Sequence, residues 1–468
     1  MRRLVMLLAL PVAVAAPSAS GGQPLPVGAE FQVNTYTTSG QGQPAVSGTA
    51  DGGFVVVWES AYQDGDGVGV FGQRYASSGA PITGEFQINT YTTSDQIDPA
   101  VAGTATGGFV AVWTEFFGPF PFHVHSQRYA SDGSPLGAEF EVGTSYSFHP
   151  LPAVSGVADG GFVIVWGDFG ADGYGIAARR YGSTGAALGG QFVVHTNNTT
   201  AFIRGEPDVA GTADGGFVVV WTSYSPDGDA GAVAGRRYAS SGAPIGSEFV
   251  VNSYTTSSQD TPSVAGTADG GFVVVWESYS QDGSHNGIFG QRYSGSGAPI
   301  GGEFQVNTYT TNAQQAVDMT PTGDGGFVVV WSSTLYPAGG FLDFRGQRYA
   351  SGGIAAGSEF TVNVESSLNP FHIGRPAIAP TAGGGFVAVW HNFTNAPGTD
   401  AEDVYAQRFC GVTCTPGDGC CPTGCDFSND DDCASPIPTL SLFGWLLLAG
   451  FLTRAMSCGV RRGQCVDR

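Results

Sequence analysis

The segment Gly52-Gly53-Phe54-Val55-Val56-Val57-Trp58 decides the fold, because close copies of it return along the chain at a nearly constant spacing. The tryptophans that end the copies are separated by 55, 53, 55, 55, 55 and 59 residues. They are Trp58, Trp113, Trp166, Trp221, Trp276, Trp331 and Trp390. Seven similar units at one period are the signature of a repeat architecture.

Each unit contains four strand-like pieces in the same order. The FVVVW piece is apolar on both faces, which predicts a strand buried on both sides. Asp51-Gly52, which precedes it, predicts a tight hairpin with positive φ at both residues. In the first unit the pieces are Pro44–Ala50, Phe54–Trp58, Val70–Ser77 and Glu85–Asn89. One unit is therefore predicted to be a four-stranded antiparallel meander.

The two ends of the repeat region are offset from each other. The chain enters the region with Glu30–Asn34, a fourth piece with nothing before it, and leaves with Val404–Phe409, a third piece with no fourth piece after it. The missing strand of the last unit can be supplied by the first, which closes a ring and protects its edges. We therefore predict an all-β, seven-bladed β-propeller over residues 28–410, closed by an N-terminal strand. The alternatives are a β-solenoid or two β-sandwiches.

The charge balance excludes some partners. The 468 residues carry 18 Lys+Arg against 40 Asp+Glu, a formal charge of −22, and no basic cluster is present. This argues against nucleic acid and against anionic membrane surfaces as partners.

Residues 1–16 have the pattern of a secretory signal peptide. Arg2 and Arg3 precede an apolar run, Leu4–Val14, and Ala13-Val14-Ala15 forms a small-residue cleavage site. The apolar run is too short to span a bilayer, although an N-terminal membrane anchor is the alternative. We expect the protein to be exported.

A repeated arginine and a repeated glutamate stand on neighbouring pieces of most units. Their position on adjacent antiparallel strands predicts one cross-strand ion pair per blade, which is a scaffold feature because a reaction needs one site and not seven. The pairs begin with Arg74 and Glu85 and continue with Arg128 and Glu139.

The connections divide between two faces of the predicted ring. The turn face carries the hairpin turns, such as Asp51-Gly52 and Ser78–Thr83, which are short and uniform. The link face carries the links between blades, such as Asn34–Gln43, and the loops after each tryptophan, such as Glu59–Gly67. Loops on a rigid scaffold commonly carry binding sites, so we expect function on the link face.

Aromatic residues in these loops are the candidate ligand-binding residues. Flat rings suit the apolar faces of sugars, and the neighbouring Asn, Gln, Thr and Asp side chains suit their hydroxyls. The candidates are Tyr62, Phe116, Phe169, Tyr224, Tyr279 and Phe393, and tyrosines recur in the links at Tyr91, Tyr146, Tyr254 and Tyr309. We expect an extracellular glycan or a surface protein as ligand. The alternative is that the rings after the tryptophans only pack between blades.

Two post-tryptophan loops contain alternating acids. Asp64 and Asp66 in the first unit and Asp227 and Asp229 in the fourth are separated by glycine, a partial calcium-loop pattern. Calcium is therefore the expected metal. The pattern lacks a glutamate at the twelfth position, and Asp-Gly is also a common turn dipeptide.

No catalytic residue is assigned. His123 and His125, the one close pair of histidines, fall in the loop Thr114–His125 without a recognised metal-site spacing, and no nucleophile elbow or phosphate-binding loop occurs. Carboxylates above the channel of a propeller can cleave glycans when two stand at a suitable separation. We expect a binding or adhesion protein; the alternatives are a structural surface protein and a propeller glycoside hydrolase or lyase.

The repeat VNTYTTS…PAVSGTADGGFVVVWES…GQRY resembles the tandem repeats of large secreted bacterial proteins, which often occur near calcium-dependent adhesin modules. The resemblance covers most of residues 28–410. It implies an exported surface protein and carries no known catalytic residue.

The sequence after the repeat region predicts two further segments, residues 410–434 and residues 435–468. Residues 410–434 resemble a short cysteine-rich module of bacterial surface proteins, and its cysteine density in an exported chain indicates disulfides of undetermined pairing, with a zinc knuckle as the alternative. Its cysteines are Cys410, Cys414, Cys420, Cys421, Cys425 and Cys433.

Residues 435–468 begin with Ile437-Pro438-Thr439-Leu440-Ser441, an apolar run and arginines, and resemble the IPTL-CTERM sorting signals of Gram-negative bacteria. The resemblance implies a sorting transpeptidase as partner, location at the cell surface or outside the cell, and membrane contact only through this segment.

Overall fold

The structure, a computed structural model, describes residues 23–411 except 119, 148, 171–172, 196–202, 225–226, 336–340, 364–373 and 395–400. Within this part the chain forms 28 strands and one short 3₁₀ turn, Ala382–Gly384. None of the described helical structure is long and apolar enough to cross a bilayer. The predicted signal peptide, the sorting segment and the cysteines after Cys410 lie outside the described residues.

The strands form seven four-stranded antiparallel sheets, which are the blades. Blade 1 contains β2 (Gln41–Gly48), β3 (Phe54–Ala61), β4 (Val68–Tyr75) and β5 (Phe86–Gln87). Blade 2 contains β6 (Asp95–Gly103), β7 (Phe109–Phe116), β8 (Phe122–Tyr129) and β9 (Phe140–Ser145). Blade 3 contains β10 (Ala153–Gly156), β11 (Phe162–Gly170), β12 (Gly173–Tyr181) and β13 (Phe192–Val193). Blade 4 contains β14 (Ile203–Gly211), β15 (Phe217–Tyr224), β16 (Gly231–Tyr238) and β17 (Pro244–Val250).

The remaining three blades follow the same order. Blade 5 contains β18 (Gln259–Gly266), β19 (Phe272–Tyr279), β20 (Asn286–Tyr293) and β21 (Pro299–Gln305). Blade 6 contains β22 (Gln314–Pro321), β23 (Phe327–Leu335), β24 (Phe341–Tyr349) and β25 (Phe360–Thr361). Blade 7 contains β26 (Ala377–Pro380), β27 (Phe386–Thr394), β28 (Ala401–Phe409) and, as its outer strand, β1 (Pro26–Gln32).

The predicted closure of the ring is confirmed. Strand β1 pairs with β28, with Phe31 opposite Ala406. Beyond the strand, Val33 donates its backbone N–H to Val404 over 2.7 Å, and Asn34 donates from Nδ2 to Oδ1 of Asp403 over 2.7 Å. The first and last parts of the repeat region therefore form one blade, and the fold is the predicted seven-bladed β-propeller.

The doubly apolar FVVVW strand explains how the blades stack. Successive side chains of a strand point to opposite faces, so Val56 and Trp58 pack against blade 7 while Val55 and Val57 pack against blade 2. The same arrangement recurs between every adjacent pair of blades, and each of the seven repeat tryptophans is at most 1% exposed. Truncating one of them to alanine is expected to cost about 3–5 kcal/mol.

The inner strands come together at a repeated glycine. A Cβ atom on Gly48 would lie 2.4 Å from the carbonyl oxygen of Pro380, and one on Gly103 would lie 2.3 Å from that of Gly48. These separations are too short for any side chain. The small-residue composition of the first piece thus follows from the crowding of strands around the central channel.

The first hairpin differs from the prediction in its turn type. Thr49 donates its N–H to Gly53 O, and Gly52 donates to Thr49 O, which leaves three residues in the loop. Only Gly52 has positive φ, at 83°, because the loop is a three-residue turn that ends in a left-handed glycine and not a two-residue turn.

The predicted pairing of Arg74 with Glu85 is wrong. Opposing residues Gly72 and Phe86 set a register in which Arg74 and Glu85 point to opposite faces of the blade. Arg74 donates to Ser131 O of blade 2, whereas Glu85 accepts the N–H and hydroxyl of Thr35, beside blade 7. Both residues therefore connect blades, but each reaches a different neighbour.

Candidate binding face

The channel opens on the link face through a ring of one residue per blade, which we call the mouth ring. It surrounds a cavity of about 380 Å³, within the range of small-molecule sites. Its members are Gln43, Asp98, Leu151, Glu206, Thr261, Ala316 and Arg375. The first six have φ between 43° and 54° although none is glycine. Such backbone is costly and clusters at functional sites, so this ring is a site candidate in its own right.

The residue after a tryptophan fixes the mouth-ring residue of the next blade. The Glu59 carboxylate accepts the N–H of Asp98 over 2.7 Å, and Glu277 accepts that of Ala316 over 2.7 Å. Burial raises the pKa of Glu59 to about 8 and the pKa of Glu277 to about 7. These glutamates are therefore positioning groups that hold the strained backbone in place.

Acid–base pairs face the cavity from this ring. Oε1 of Glu206 lies 3.6 Å from a guanidinium nitrogen of Arg375, and Nδ1 of His149 lies 3.9 Å from Oδ2 of Asp98. The neighbouring Asp98 carboxylate raises the pKa of His149, so the positive charge of the imidazole is favoured. The mouth thus offers both signs of charge and several hydrogen-bonding groups within one cavity.

Below the ring, the inner strands of blades 4 to 6 carry Asp208, Ser263 and Asp318 where most other blades have alanine. The two carboxyls connect inner strands, since Asp208 accepts the N–H of Val264 and Asp318 accepts that of Ile378. Burial raises the pKa of Asp208 to about 6 and, together with the charge of Asp208, the pKa of Asp318 to about 7. Their contacts assign them a structural role at the channel wall.

Exposed aromatic rings lie on the same face as this mouth. Among the predicted candidates, Tyr62 is 66% exposed, Tyr279 47% and Phe169 41%. Phe117 and Phe120 are also exposed in the loop after Trp113. The links add the exposed rings of Tyr91, Tyr146 and Tyr309. The described aromatic side chains that are most open to solvent are therefore gathered on the link face.

Three predicted candidates have other surroundings. Phe116 is half-buried and stacks on Phe122 with ring centroids 4.6 Å apart, so it packs within its own blade. Tyr224 is half-buried as well. Phe393 lies in β27, and its side chain is outside the described residues. Phe116 thus packs within its blade and not between blades as the alternative expected, whereas Tyr62 and Tyr279 are exposed.

The predicted calcium aspartates make hydrogen bonds within their loops. Oδ2 of Asp66 accepts the N–H of Ser94 over 3.1 Å, and Oδ2 of Asp229 accepts that of Ser257 over 2.9 Å. Asp227 accepts from the Asn252 amide. Asp64 lies 3.3 Å from the Gln87 amide. The four acids join post-tryptophan loops to neighbouring links, and calcium at these positions stays a prediction.

At the end of the ring, Cys410 is disulfide-bonded. Its backbone N–H donates to Leu25 O, which ties this end to the start of β1.

The mouth ring was missed at the sequence level. A signal was present only for the channel wall below the ring, because aligning the units places Asp208 and Asp318 at a position occupied by alanine in blades 1, 2, 3 and 7. The strained φ values gave no signal, since residues as different as Leu151 and Glu206 share them.

Comparisons with known proteins support the fold. No protein-family model matches the sequence, and no curated protein matches it. Among solved structures, an ulvan lyase of polysaccharide lyase family 25 superposes with a TM-score of 0.51 at 10% identity, over 82% of this chain and 95% of that one. A protein of unknown function from Dyadobacter fermentans gives 0.49 at 10% identity, over 82% and 98%. An α-L-arabinanase from Penicillium chrysogenum gives 0.45 at 12% identity, over 82% and 98%. At such identities the likeness shows the propeller fold alone.

Proposed function

We propose that the protein is an exported cell-surface protein that binds a glycan on its link face. The single observation that carries the proposal is that the exposed aromatic rings lie on the same face as the polar channel mouth. Adjoining exposed apolar side chains, such as the rings of Tyr91 and Phe117 in edge-on contact, are typical of an interaction site. Tyrosine and phenylalanine rings pack on sugar faces, and the mouth-ring side chains can accept and donate hydrogen bonds to hydroxyls.

Charge indicates the class of glycan. The chain has a formal charge of −22, and Asp66, Asp98 and Asp229 lie on or near the link face. A polyanionic chain such as alginate would be repelled there, so we expect a neutral polysaccharide. An ulvan lyase solved with a -[GlcA(1-4)Rha3S]- segment, which is anionic, has the same general ring, with a TM-score of 0.50 at 9% identity. That protein illustrates what the scaffold can hold and does not identify the ligand here.

The test compares matched substitutions on the two faces. Tyr62→Ala and Tyr279→Ala remove exposed rings from the link face, whereas Ile82→Ala and Ile354→Ala remove exposed apolar side chains from the turn face. Binding to a panel of neutral and anionic polysaccharides is measured by isothermal titration. Each tyrosine variant should weaken binding of the best ligand about 10-fold, since an aromatic contact contributes about 0.5–1.5 kcal/mol beyond its buried area. Equal losses in the isoleucine variants would contradict the proposal.

Cleavage of the bound glycan is the second candidate function, and the acid–base pairs at the mouth favour it. The carboxylate of Glu206 and the imidazole of His149 both face the cavity and could move protons at a glycosidic bond. Incubation with the same panel should then release reducing ends, and Glu206→Gln should abolish the release while glycan binding persists. If no glycan that binds releases reducing ends, the protein binds glycans without cleaving them.

A further inference from the structure

Blade 2 differs from the other blades in a cluster of histidines and glutamates on one face of its sheet. The predicted loop Thr114–His125 is mostly strand: β7 continues to Phe116 and β8 begins at Phe122. The prediction was wrong because the Phe-His-Val-His segment alternates polar and apolar residues, which suits a half-buried strand. Only Phe117–Pro121 remains as the loop.

Strand alternation and register bring five side chains together. Glu115 is paired with His123 across β7 and β8, and His125 is paired with Glu141 across β8 and β9. Residues two apart on a strand share a face, so His123 and His125 point the same way, as do Glu139 and Glu141. Two groups of three of these residues have ligand atoms within 4.8 Å of one another, and both groups contain His125.

His125 lies at the centre of the cluster. Its Nε2 is 2.9 Å from Oε2 of Glu115, and its Nδ1 is 3.0 Å from Oε1 of Glu139. Burial opposes a positive charge here, but the two carboxylates outweigh it and raise the pKa of His125 to about 9. Without a ligand, the imidazole therefore holds a proton that partly offsets the two negative charges.

Glu115 is the observation that points to a ligand. Its side chain is 1% exposed, its Oε2 lies 2.9 Å from Nε2 of His125, and its Oε1 makes no hydrogen bond with any described residue. Leaving a buried carboxylate oxygen without a hydrogen bond is costly. The contact with His125 supplies charge to one oxygen and leaves Oε1 with no partner among the described residues.

We propose that blade 2 binds a divalent transition-metal ion of the zinc class, with His125, which the two groups share, as the central ligand, Glu115 as the buried carboxylate ligand of one group, and His123 and Glu141 as the donors of the other. Imidazole nitrogen combined with carboxylate oxygen suits zinc better than calcium, which prefers oxygen ligands alone. Nδ1 of His125 faces Glu139, which also accepts the N–H and hydroxyl of Thr90. Glu139 is thus the supporting carboxylate that orients a metal-binding histidine.

The site lies directly beneath the link face. The ring of Phe117 packs edge-on against His123 at 5.5 Å and against Tyr91 at 5.0 Å, and both Phe117 and Tyr91 are exposed. A metal ion that fixes His123 therefore fixes an exposed aromatic pair. The metal ion would act on this surface only by ordering these rings. The metal site therefore does not depend on which ligand the link face binds.

The repeat itself supplies substitutions that fold. At the position of His125, blades 1 and 5 have Phe71 and Phe289, both buried. At the position of Glu115, blades 1, 4, 5 and 6 have serine, as at Ser60. His125→Phe and Glu115→Ser thus replace the cluster with residues that sister blades already use. His285→Ala, at an exposed histidine of blade 5, is the matched control.

The test is isothermal titration of Zn²⁺ into the full chain after chelator treatment, with Co²⁺ absorption as a second readout. Wild-type protein and His285→Ala should bind one zinc ion at blade 2. His125→Phe and Glu115→Ser should weaken that binding by more than the roughly 10- to 100-fold that loss of a supporting partner costs. The Co²⁺ spectrum should show nitrogen and oxygen ligation without thiolate bands.

Three results would overturn the proposal. One is the absence of zinc binding to the wild-type chain. A second is unchanged affinity in both variants, with thiolate bands that place the ion among the cysteines. A third is Ca²⁺ binding that exceeds Zn²⁺ binding and is lost in His125→Phe. Thermal melting of each variant without metal shows that the blade is intact, so that lost affinity reports on the ligands.

Discussion

The two faces of this propeller are built from one repeat, yet they differ in what they expose. The turn-face end of the channel is lined by Ser, Gly, Thr, Ala, Val and Pro, as at Thr49 and Ala105, with no charged or aromatic residue among its lining. The link-face end is lined by Asp98, His149, Glu206 and Arg375 among others. The turn face exposes aliphatic side chains such as Ile82, and the link face exposes aromatic ones. The repeat therefore keeps the residues at the turn-face end of each blade uniform, whereas the residues at the link-face end vary from blade to blade.

The faces also differ in how folding shifts the titration of their acids. On the turn face, hydrogen bonds from Thr212 and Gly216 lower the pKa of Asp214, and those from Thr267 and Gly271 lower that of Asp269. Near the link face, burial raises the pKa of Glu59 and Glu277. Asp214 and Asp269 are therefore stabilised when ionised, whereas Glu59 and Glu277 are stabilised when protonated. The turn face is therefore a hydrogen-bonded scaffold, whereas the link-face end of the channel has strained backbone and buried acids.

The largest expected effect tests whether both faces belong to one closed ring. Deleting residues 23–34 removes β1 together with Val33, which is 2% exposed, and leaves the edge of β28 unpaired. Burial of Val33 and Phe31 alone contributes about 3–5 kcal/mol. The shortened chain should melt far below the parent and aggregate through its open edge.

The control for that deletion is a chain that begins at residue 23, which keeps β1 and the contact of Gln23 with Ser358. Differential scanning calorimetry and size-exclusion chromatography compare the two. A monomeric deletion variant with an unchanged melting temperature would mean that the ring closes without β1.

A smaller effect should appear in the pH dependence of stability. Folding raises the pKa of Asp208 to about 6, of Asp318 and Glu277 to about 7 and of Glu59 to about 8. The folded protein thus binds more protons than the unfolded chain between about pH 4 and 8, and stability falls as pH rises through this interval. We expect the melting temperature to drop by several degrees from pH 5.5 to pH 8.

The double variant Asp208→Ala, Asp318→Ala sharpens this test, since alanine occupies the position in blades 1, 2, 3 and 7. Its melting temperature should fall less steeply between pH 5.5 and pH 8 than that of the parent. Asp214→Ala on the turn face is the control and should leave the slope in this interval unchanged, because its lowered pKa acts below pH 4. If the melting temperature falls equally steeply with pH in the parent and in both variants, groups other than Asp208 and Asp318 cause the pH dependence.

The smallest expected effect is that of calcium on the link face. A site for Ca²⁺ at Asp64 and Asp66, or at Asp227 and Asp229, should raise stability by roughly 1.4 kcal/mol per site at ten-fold excess over its dissociation constant. Melting curves in EDTA and in millimolar calcium, at matched ionic strength, measure it. Asp66→Ser with Asp229→Ser should remove the difference, whereas Asp132→Ser on the turn face should not. If the melting curves of the parent in EDTA and in calcium coincide, these acids order the loops and do not bind calcium.

The fold and part of the candidate site could be predicted from the sequence, and there is a physical reason for each. The seven tryptophan strands and the offset ends, Glu30–Asn34 and Val404–Phe409, specify the ring because repeats report on packing between neighbours. The exposed candidates Tyr62 and Tyr279 could be predicted from their loops. The mouth ring and the blade 2 cluster could not, because each assembles residues through sheet register: Asp98 meets His149 across two blades, and His125 meets Glu139 across two strands.

The most direct test of the central claim is hydroxyl-radical footprinting of the protein with and without the neutral polysaccharide that it binds best, read by mass spectrometry. A ligand on the link face should protect Tyr62, Tyr91, Tyr146 and Tyr279 from oxidation. Leu136 and Ile354 on the turn face, which are 41% and 71% exposed, should react equally in both samples. Protection of the turn-face residues, or no protection of the four tyrosines under saturating ligand, would contradict the account.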